Sequence, residues 1–382
     1  MIKKNIRWIF RIFTLLVIII GIFIAFNYTL LSRGFTYPME TEVTSSEWYS
    51  PKAIVEGPNS TNYSLADSLS IEQSLLDDIS SYAEERNSSA LLVLHKGQLQ
   101  LEKYWQGNNR QSTTNSFSMS KTITSLLIGI AIDEGKIKSE KDLVSTYITE
   151  WANDDRNKIR IEDLLLMQSG LRADNNTQDM FSDVIKLYLG PDIVGTTLEI
   201  PAEKEPGSAF EYNNANAVVL GMILERATGE PIESYTSSKL WQPLGAADAG
   251  WWLDSKNGMP KPFCCFFAQA EDWMLLGQLL LQNGEWNNQQ LISKEWIAKM
   301  LTQSKLERDY GYHIWLNYED GGSKEGLRSA PFLVSNFQID GANKQLIYVV
   351  PEFELVIGRL GNKPNDWDES YLVNKIVASL KE

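Results

Sequence analysis

The chain has 382 residues, 43% of them hydrophobic and 22% charged, with 12 Trp, 15 Tyr and 14 Phe. That composition belongs to a folded globular protein and excludes a disordered chain, a collagen-like chain and a disulfide scaffold. The net charge is −14, and the first 34 residues hold five bases and no acid, so the rest stands at −19 and makes a poor non-specific ligand for nucleic acid.

The N-terminus reads as a membrane segment. Ile12 to Phe26 is apolar except for Thr14, and Leu30 and Leu31 follow shortly after. Such a stretch of about 20 residues spans a hydrocarbon core. Lys3, Lys4, Arg7 and Arg11 precede it, which keeps the N-terminus cytoplasmic and exports the body. No A-x-A-like cleavage site follows Phe26, which favours an uncleaved anchor over a signal peptide. The expected organisation is an anchor over residues 1–34, a linker or surface wrap over 35–69 and one catalytic-sized unit over 70–382. The expected location is the cytoplasmic membrane, single-pass, with the body on the extracytoplasmic side.

Ile71, Leu75, Ile79 and Tyr82 recur at helical spacing and predict a helix over Ser70–Arg86. Ala90–His95 and Gln98–Trp105 flank Lys96-Gly97 and predict a β-hairpin. The stretch from about Ser118 to Met300 reads as mostly helical. Strand-like runs return at Tyr310–Trp315, Phe332–Ile339, Gln345–Val350 and Leu355–Leu360, before a closing helix over Trp367–Leu380. Strands at both ends with helices between predict an α/β (α+β) fold. One antiparallel sheet is made from both chain ends, and an all-helical subdomain over about 118–300 is inserted.

Cys264 and Cys265 are adjacent, a spacing that rarely satisfies disulfide geometry, and they sit among Phe263, Phe266 and Phe267. They are expected to be small reduced core side chains. There is no C-x-x-C and no H-E-x-x-H, and the chain has only two His, so zinc is improbable, and the serine chemistry set out below implies no metal or organic cofactor.

The chemistry starts at Ser118-Met119-Ser120-Lys121. Positions three apart share a helix face, so the Ser118 hydroxyl and the Lys121 amine can meet. Ile123, Leu126, Leu127 and Ile130 form an apolar stripe behind them, which places the motif on the first turn of a buried helix. There a backbone N–H can face a carbonyl oxygen, and both burial and the positive helix end disfavour a charged lysine. A half-neutral amine at pH 7 needs about 4.6 kcal/mol of differential interaction, within reach of burial. The alternative for an isolated Ser-x-x-Lys is a capping serine and a solvated lysine. A second constellation, Tyr212-Asn213-Asn214, precedes another buried helix, Ala215–Thr228. Tyr212 can exchange protons with Ser118 and Lys121, and Asn214 can bridge the amine and a substrate. His95 and His313 adjoin no Gly-x-Ser-x-Gly elbow and read as structural.

From about Ser70 onward the chain resembles the serine β-lactamase-related hydrolases: class C β-lactamases, D,D-peptidases and esterases of that fold. The resemblance rests on Ser118-Met119-Ser120-Lys121 and Tyr212-Asn213-Asn214 in the family's order. Leu164–Leu171, Pro243-Leu244-Gly245, and Ala270-Glu271-Asp272 leading to Asn283–Trp286 support it. It implies the β-lactamase/transpeptidase-like fold, with the site between sheet and helical subdomain. The chain departs from the family at the third motif. The usual Lys-Thr-Gly is replaced by Asp340-Gly341-Ala342-Asn343-Lys344-Gln345, closer to the motif style of 6-aminohexanoate-dimer hydrolase but with Lys344 where Gly is usual. The second oxyanion donor is expected from the backbone around Asn343 or Lys344. A Lys side chain there either alters that donor or faces solvent.

The expected activity is hydrolysis of a small-molecule ester or amide. Ser118 is the nucleophile, Lys121 its base, Tyr212 the proton relay and Asn214 a positioning group. The alternatives are a cell-wall D,D-peptidase or β-lactamase, and a non-catalytic binding module on the same fold. The expected partners are that substrate and the membrane, with no nucleic acid.

Overall fold

The computed structural model describes residues 2–320 and 328–381. Its strands in chain order are β1 (Lys52–Val55), β2 (Ser88–His95), β3 (Gln98–Tyr104), β4 (Thr113–Asn115), β5 (Ala249–Trp252) and β6 (Phe266–Gln269), then β7 (Glu285–Trp286), β8 (Gln289–Gln290), β9 (Trp315–Asn317), β10 (Asn336–Gly341), β11 (Gln345–Val350) and β12 (Leu355–Gly361).

The main sheet has the order β3-β2-β12-β11-β10-β9 and is antiparallel throughout. Its strands come from both ends of the described body, as the alternation of the terminal runs predicts. The β2–β3 turn is Lys96-Gly97 with both φ positive, at +51° and +72°, which suits a tight hairpin. Every residue of β2 is buried, because both faces of the sheet are covered. Leu92 and Leu94 point into the larger core and Leu91 and Val93 into the smaller, the period of two expected of a strand. Helices Gln73–Glu84 and Tyr371–Lys381 cover the smaller core's face, and Ala270–Leu281 covers the other. A Cβ on Gly277 of that last helix would lie 2.6 Å from Val356 Cγ1, so glycine sets how closely it meets the sheet.

The middle of the chain is less uniformly helical than its sequence suggests. A second antiparallel sheet, β1-β5-β6-β4, draws two strands from within it, β4 from just before Ser118 and β1 from the 35–69 stretch. Two other expectations change. The Tyr310–Trp315 stretch forms only a bridge between its end residues before β9 begins. Cys264 and Cys265 are joined in a disulfide and are not reduced. Cys265 adopts φ +67°, a left-handed backbone that lets adjacent side chains meet, and both sulfurs are buried.

The apolar N-terminal run forms helix Ile2–Phe26, followed by Tyr28–Phe35, and the two are bent by 76° at Asn27. No single helix among the described residues is long and apolar enough to cross a membrane; the bent pair together meets that measure by length and composition only. In the last turn of its second helix, Arg33 ties the chain to the body by donating to the carbonyls of Ser50, Leu189, Gly190 and Asp254. Tyr49 stacks on Trp252 with ring centroids 4.2 Å apart.

Candidate active site

Ser118 sits on a single 3-10 turn, Phe117–Met119, just ahead of helix Ser120–Asp133 and not within its first turn. Phe117 adopts φ +45°, which costs a non-glycine residue about 1–3 kcal/mol unless its surroundings hold it. They do hold it. Phe117 N donates to Asn115 Oδ1 at 3.0 Å, and Ser116 is clasped to Phe266 by two hydrogen bonds, N to O at 2.9 Å and Oγ from N at 3.2 Å. The helix behind is buried along Ser120–Ala131, so it gives the serine a rigid base.

Lys121 is 1% exposed, and its Nζ lies 3.0 Å from Ser118 Oγ and 3.1 Å from the Phe263 carbonyl oxygen. Burial alone pushes its amine down to about 7. At neutral pH a large fraction of the amine is therefore neutral and able to take a proton from the hydroxyl it touches. The same nitrogen lies 4.8 Å from the centroid of the Tyr212 ring.

Tyr212 occupies the extended segment before helix Asn214–Thr228. Asn175 Nδ2 donates to its carbonyl at 2.9 Å, its ring stacks on Trp315 at 6.1 Å, and Tyr310 meets it edge-on at 6.2 Å. Burial raises its hydroxyl above the ordinary tyrosine range, with the Ser118 hydroxyl opposing that effect. The two shifts separate the roles available: a lysine that is readily neutral can act as base, and a tyrosine that stays protonated can relay protons.

Asn214 does not join Lys121. The amine's second partner is the Phe263 carbonyl, and Asn214 is half-buried as the first residue of its helix. Its neighbours do the local structural work. Asn213 caps the helix by accepting from Ala215 N at 2.9 Å, and Asn216, fully buried, accepts from Ser169 Oγ at 2.7 Å. The bridging role expected of Asn214 is thus not made by contact with the amine.

Asn343 and Lys344 form the β10–β11 turn, and both adopt φ +60°. Two consecutive left-handed residues that are not glycine need support. Fully buried Arg359 donates to both carbonyls, at 2.8 and 3.0 Å. Lys344 Nζ meets the buried carboxylate of Glu369 at 2.5 Å, on the side of the sheet where Tyr348 and the smaller core lie. The side chain thus does not face solvent freely. The glycine that close approach requires is Gly341: a Cβ there would lie 2.2 Å from Ser116 O.

The two histidines stand apart from the hydroxyl. His313 Nδ1 lies 3.2 Å from the Lys121 carbonyl oxygen and is pushed down to about 3 by burial and then by Lys121, so it is neutral. His95 lies beside Ser70 at the Lys96-Gly97 end of β2. Among the described residues no group of three His, Cys, Asp or Glu is placed to hold a metal ion. Residues that motif reading missed include Phe263, whose backbone oxygen is the contact, and Trp315 and Tyr310, whose aromatic cluster leading into β9 was an available signal.

A family profile described as Beta-lactamase matches residues 75–377. A 6-aminohexanoate-dimer hydrolase of Paenarthrobacter ureafaciens is 24% identical over 314 residues, 76% of each chain. A protein of Escherichia coli O157:H7 provisionally named a D-alanyl-D-alanine carboxypeptidase is 33% identical over 124 residues, 30% of this chain. The match spans only 28% of that relative's length. Among solved structures, a Bacillus anthracis protein provisionally named a 6-aminohexanoate-dimer hydrolase superposes with a TM-score of 0.69 at 21% identity, covering 89% of this chain and 92% of its own. At that identity the likeness speaks for the fold.

Proposed function

Because the chain belongs to the β-lactamase family of serine hydrolases, we propose that it cleaves an ester or amide through an acyl-enzyme on Ser118, with Lys121 and Tyr212 moving the protons. The observation that carries this reading is the 3.0 Å contact between Ser118 Oγ and a lysine amine that burial pushes down to about 7.

Ser118 Oγ attacks the carbonyl carbon as Lys121 takes its proton. The oxyanion accepts from the Ser118 N–H and from a backbone N–H of the Asn343–Lys344 turn. The scissile bond breaks as Tyr212 gives its proton to the leaving group and regains one from Lys121. Water then attacks the acyl carbon, Lys121 takes its proton, and Ser118 departs with a proton as the free alcohol.

The membrane part of the reading is supported by the basic residues ahead of an apolar run and by its exposure, with Ile18 51% and Phe23 49% exposed. In this reading residues 1–34 anchor the chain in the cytoplasmic membrane and residues 70–382 act outside it. Similarity to the Escherichia coli protein favours a second reading, a D,D-peptidase. The absence of Lys-Thr-Gly on β10–β11 weighs against it, and labelling by a fluorescent penicillin distinguishes the two.

The test is labelling of the full chain with a fluorophosphonate probe, mapped by peptide mass spectrometry. A phosphonyl adduct on Ser118, absent in Ser118→Ala, together with Ser118-dependent hydrolysis of p-nitrophenyl butyrate, is the expected result. Folded protein that neither labels nor hydrolyses overturns the assignment.

A further inference from the structure

The 35–69 stretch does more than connect. Glu42 accepts a hydrogen bond at 2.5 Å from Asn343 Nδ2, across a separation of 301 residues. Its other oxygen accepts from Tyr37 Oη at 2.5 Å, and that hydroxyl lies 3.1 Å from the Tyr188 hydroxyl. The next residue, Val43, is fully buried, and its carbonyl accepts from Asn115 N at 2.7 Å. One short strap therefore touches the segment leading into the nucleophile turn, the β10–β11 turn facing it, and the helix Asp183–Leu189.

We propose that Glu42 is a positioning residue for the hydrolytic site, holding Asn343 in its left-handed conformation so that the turn keeps an N–H aimed at the oxyanion. The turn has three clamps. Arg359 holds its carbonyls and Glu369 holds Lys344, and both belong to the sheet body. Glu42 holds the Asn343 side chain, which otherwise is free to bond its own backbone and draw the turn elsewhere. The strap thus completes the site, and the catalytic unit begins near residue 36 and not at 70. This inference rests on the turn supplying an oxyanion donor, as proposed above.

The experiment compares steady-state hydrolysis of p-nitrophenyl butyrate by full-length chain and variants, with thermal melts of each. Glu42→Ala is expected to lower kcat about tenfold, less than the 10²–10³ of losing a whole donor, with KM within about twofold. Glu42→Gln, which still accepts from Asn343, recovers most of the loss. Asn343→Gly adopts a left-handed φ without a clamp, so adding Glu42→Ala to it causes no further fall. An unchanged kcat in Glu42→Ala overturns the proposal. So does a loss that Glu42→Gln does not relieve, or one that persists undiminished on the Asn343→Gly background; either marks a merely structural strap. Activity retained in Ser118→Ala overturns the site reading itself, and this inference with it.

Discussion

Lys344 Nζ meets Glu369 Oε1 at 2.5 Å, and this half-buried contact carries the lysine side chain to the side of the sheet where Glu369 and the smaller core lie. A residue that looks disruptive in the motif is thereby given a partner in Glu369. Its backbone takes φ +60°, a conformation glycine adopts without strain. Lys344→Gly is expected to change kcat by no more than about threefold, since relief of backbone strain offsets part of the lost ion pair. Glu369→Ala is expected to destabilise by about 1–3 kcal/mol, because it removes the buried carboxylate that half-buried Lys344 meets. Ester kinetics on the first variant and urea melts on the second check both.

Tyr212 stays protonated at neutral pH because burial raises its hydroxyl. Tyr212→Phe removes the proposed relay but leaves Lys121 beside Ser118. Turnover of amides and alkyl esters is expected to fall by roughly 10²–10⁴-fold. Fluorophosphonate labelling, whose fluoride leaving group needs no proton donor, is expected to fall much less. Equal losses in the two assays contradict a relay role.

Lys261 is a second fully buried lysine, donating to the Leu187 carbonyl at 2.7 Å. Burial, and then the positive charge of Arg33, push it down to about 7, against the pull of Asp254. Its native pKa lies below the unfolded value, so between about pH 7 and 10.5 the unfolded chain binds more protons. Stability is therefore expected to rise with pH through that window, and the destabilisation is fully present below it. Lys261→Met is expected to stabilise at pH 7 by about 1–4 kcal/mol, with the gap narrowing toward pH 10. Denaturant melts at the two pH values test the sign.

The disulfide between Cys264 and Cys265 lies in the loop whose Phe263 carbonyl holds Lys121. Denatured, unreduced chain is expected to resist alkylation by iodoacetamide, and reduction before alkylation is expected to modify both thiols. Alkylation without reductant would show that the two are not bonded.

The contact of Ser118 with Lys121 was legible because the two are local: a three-residue spacing and an apolar stripe behind it place both on one face. The hairpin around Lys96-Gly97 and the strand Gln345–Val350 were legible for the same reason, since turn chemistry and a period of two are written in consecutive residues. The second sheet was not. Strands such as Thr113–Asn115 and Lys52–Val55 have three or four residues, too few to display a period. The contact of Glu42 with Asn343 and that of Lys121 with the Phe263 carbonyl join residues far apart in the chain, and a backbone oxygen leaves no mark on a motif. The adjacent cysteines misled because general disulfide geometry argues against bonding, whereas the left-handed φ of Cys265 makes it feasible.

Activation of Ser118 requires Lys121 to be neutral enough at physiological pH to take its proton. The most direct measurement is the rate constant for fluorophosphonate modification of Ser118 in the full chain, followed from pH 5 to 10. A rate that rises with pH, reaches half its maximum near 7 and then levels is the predicted result, with the step lost in Lys121→Arg, whose guanidinium stays charged. A rate that climbs without a plateau to pH 10, or one that Lys121→Arg leaves intact, would contradict it.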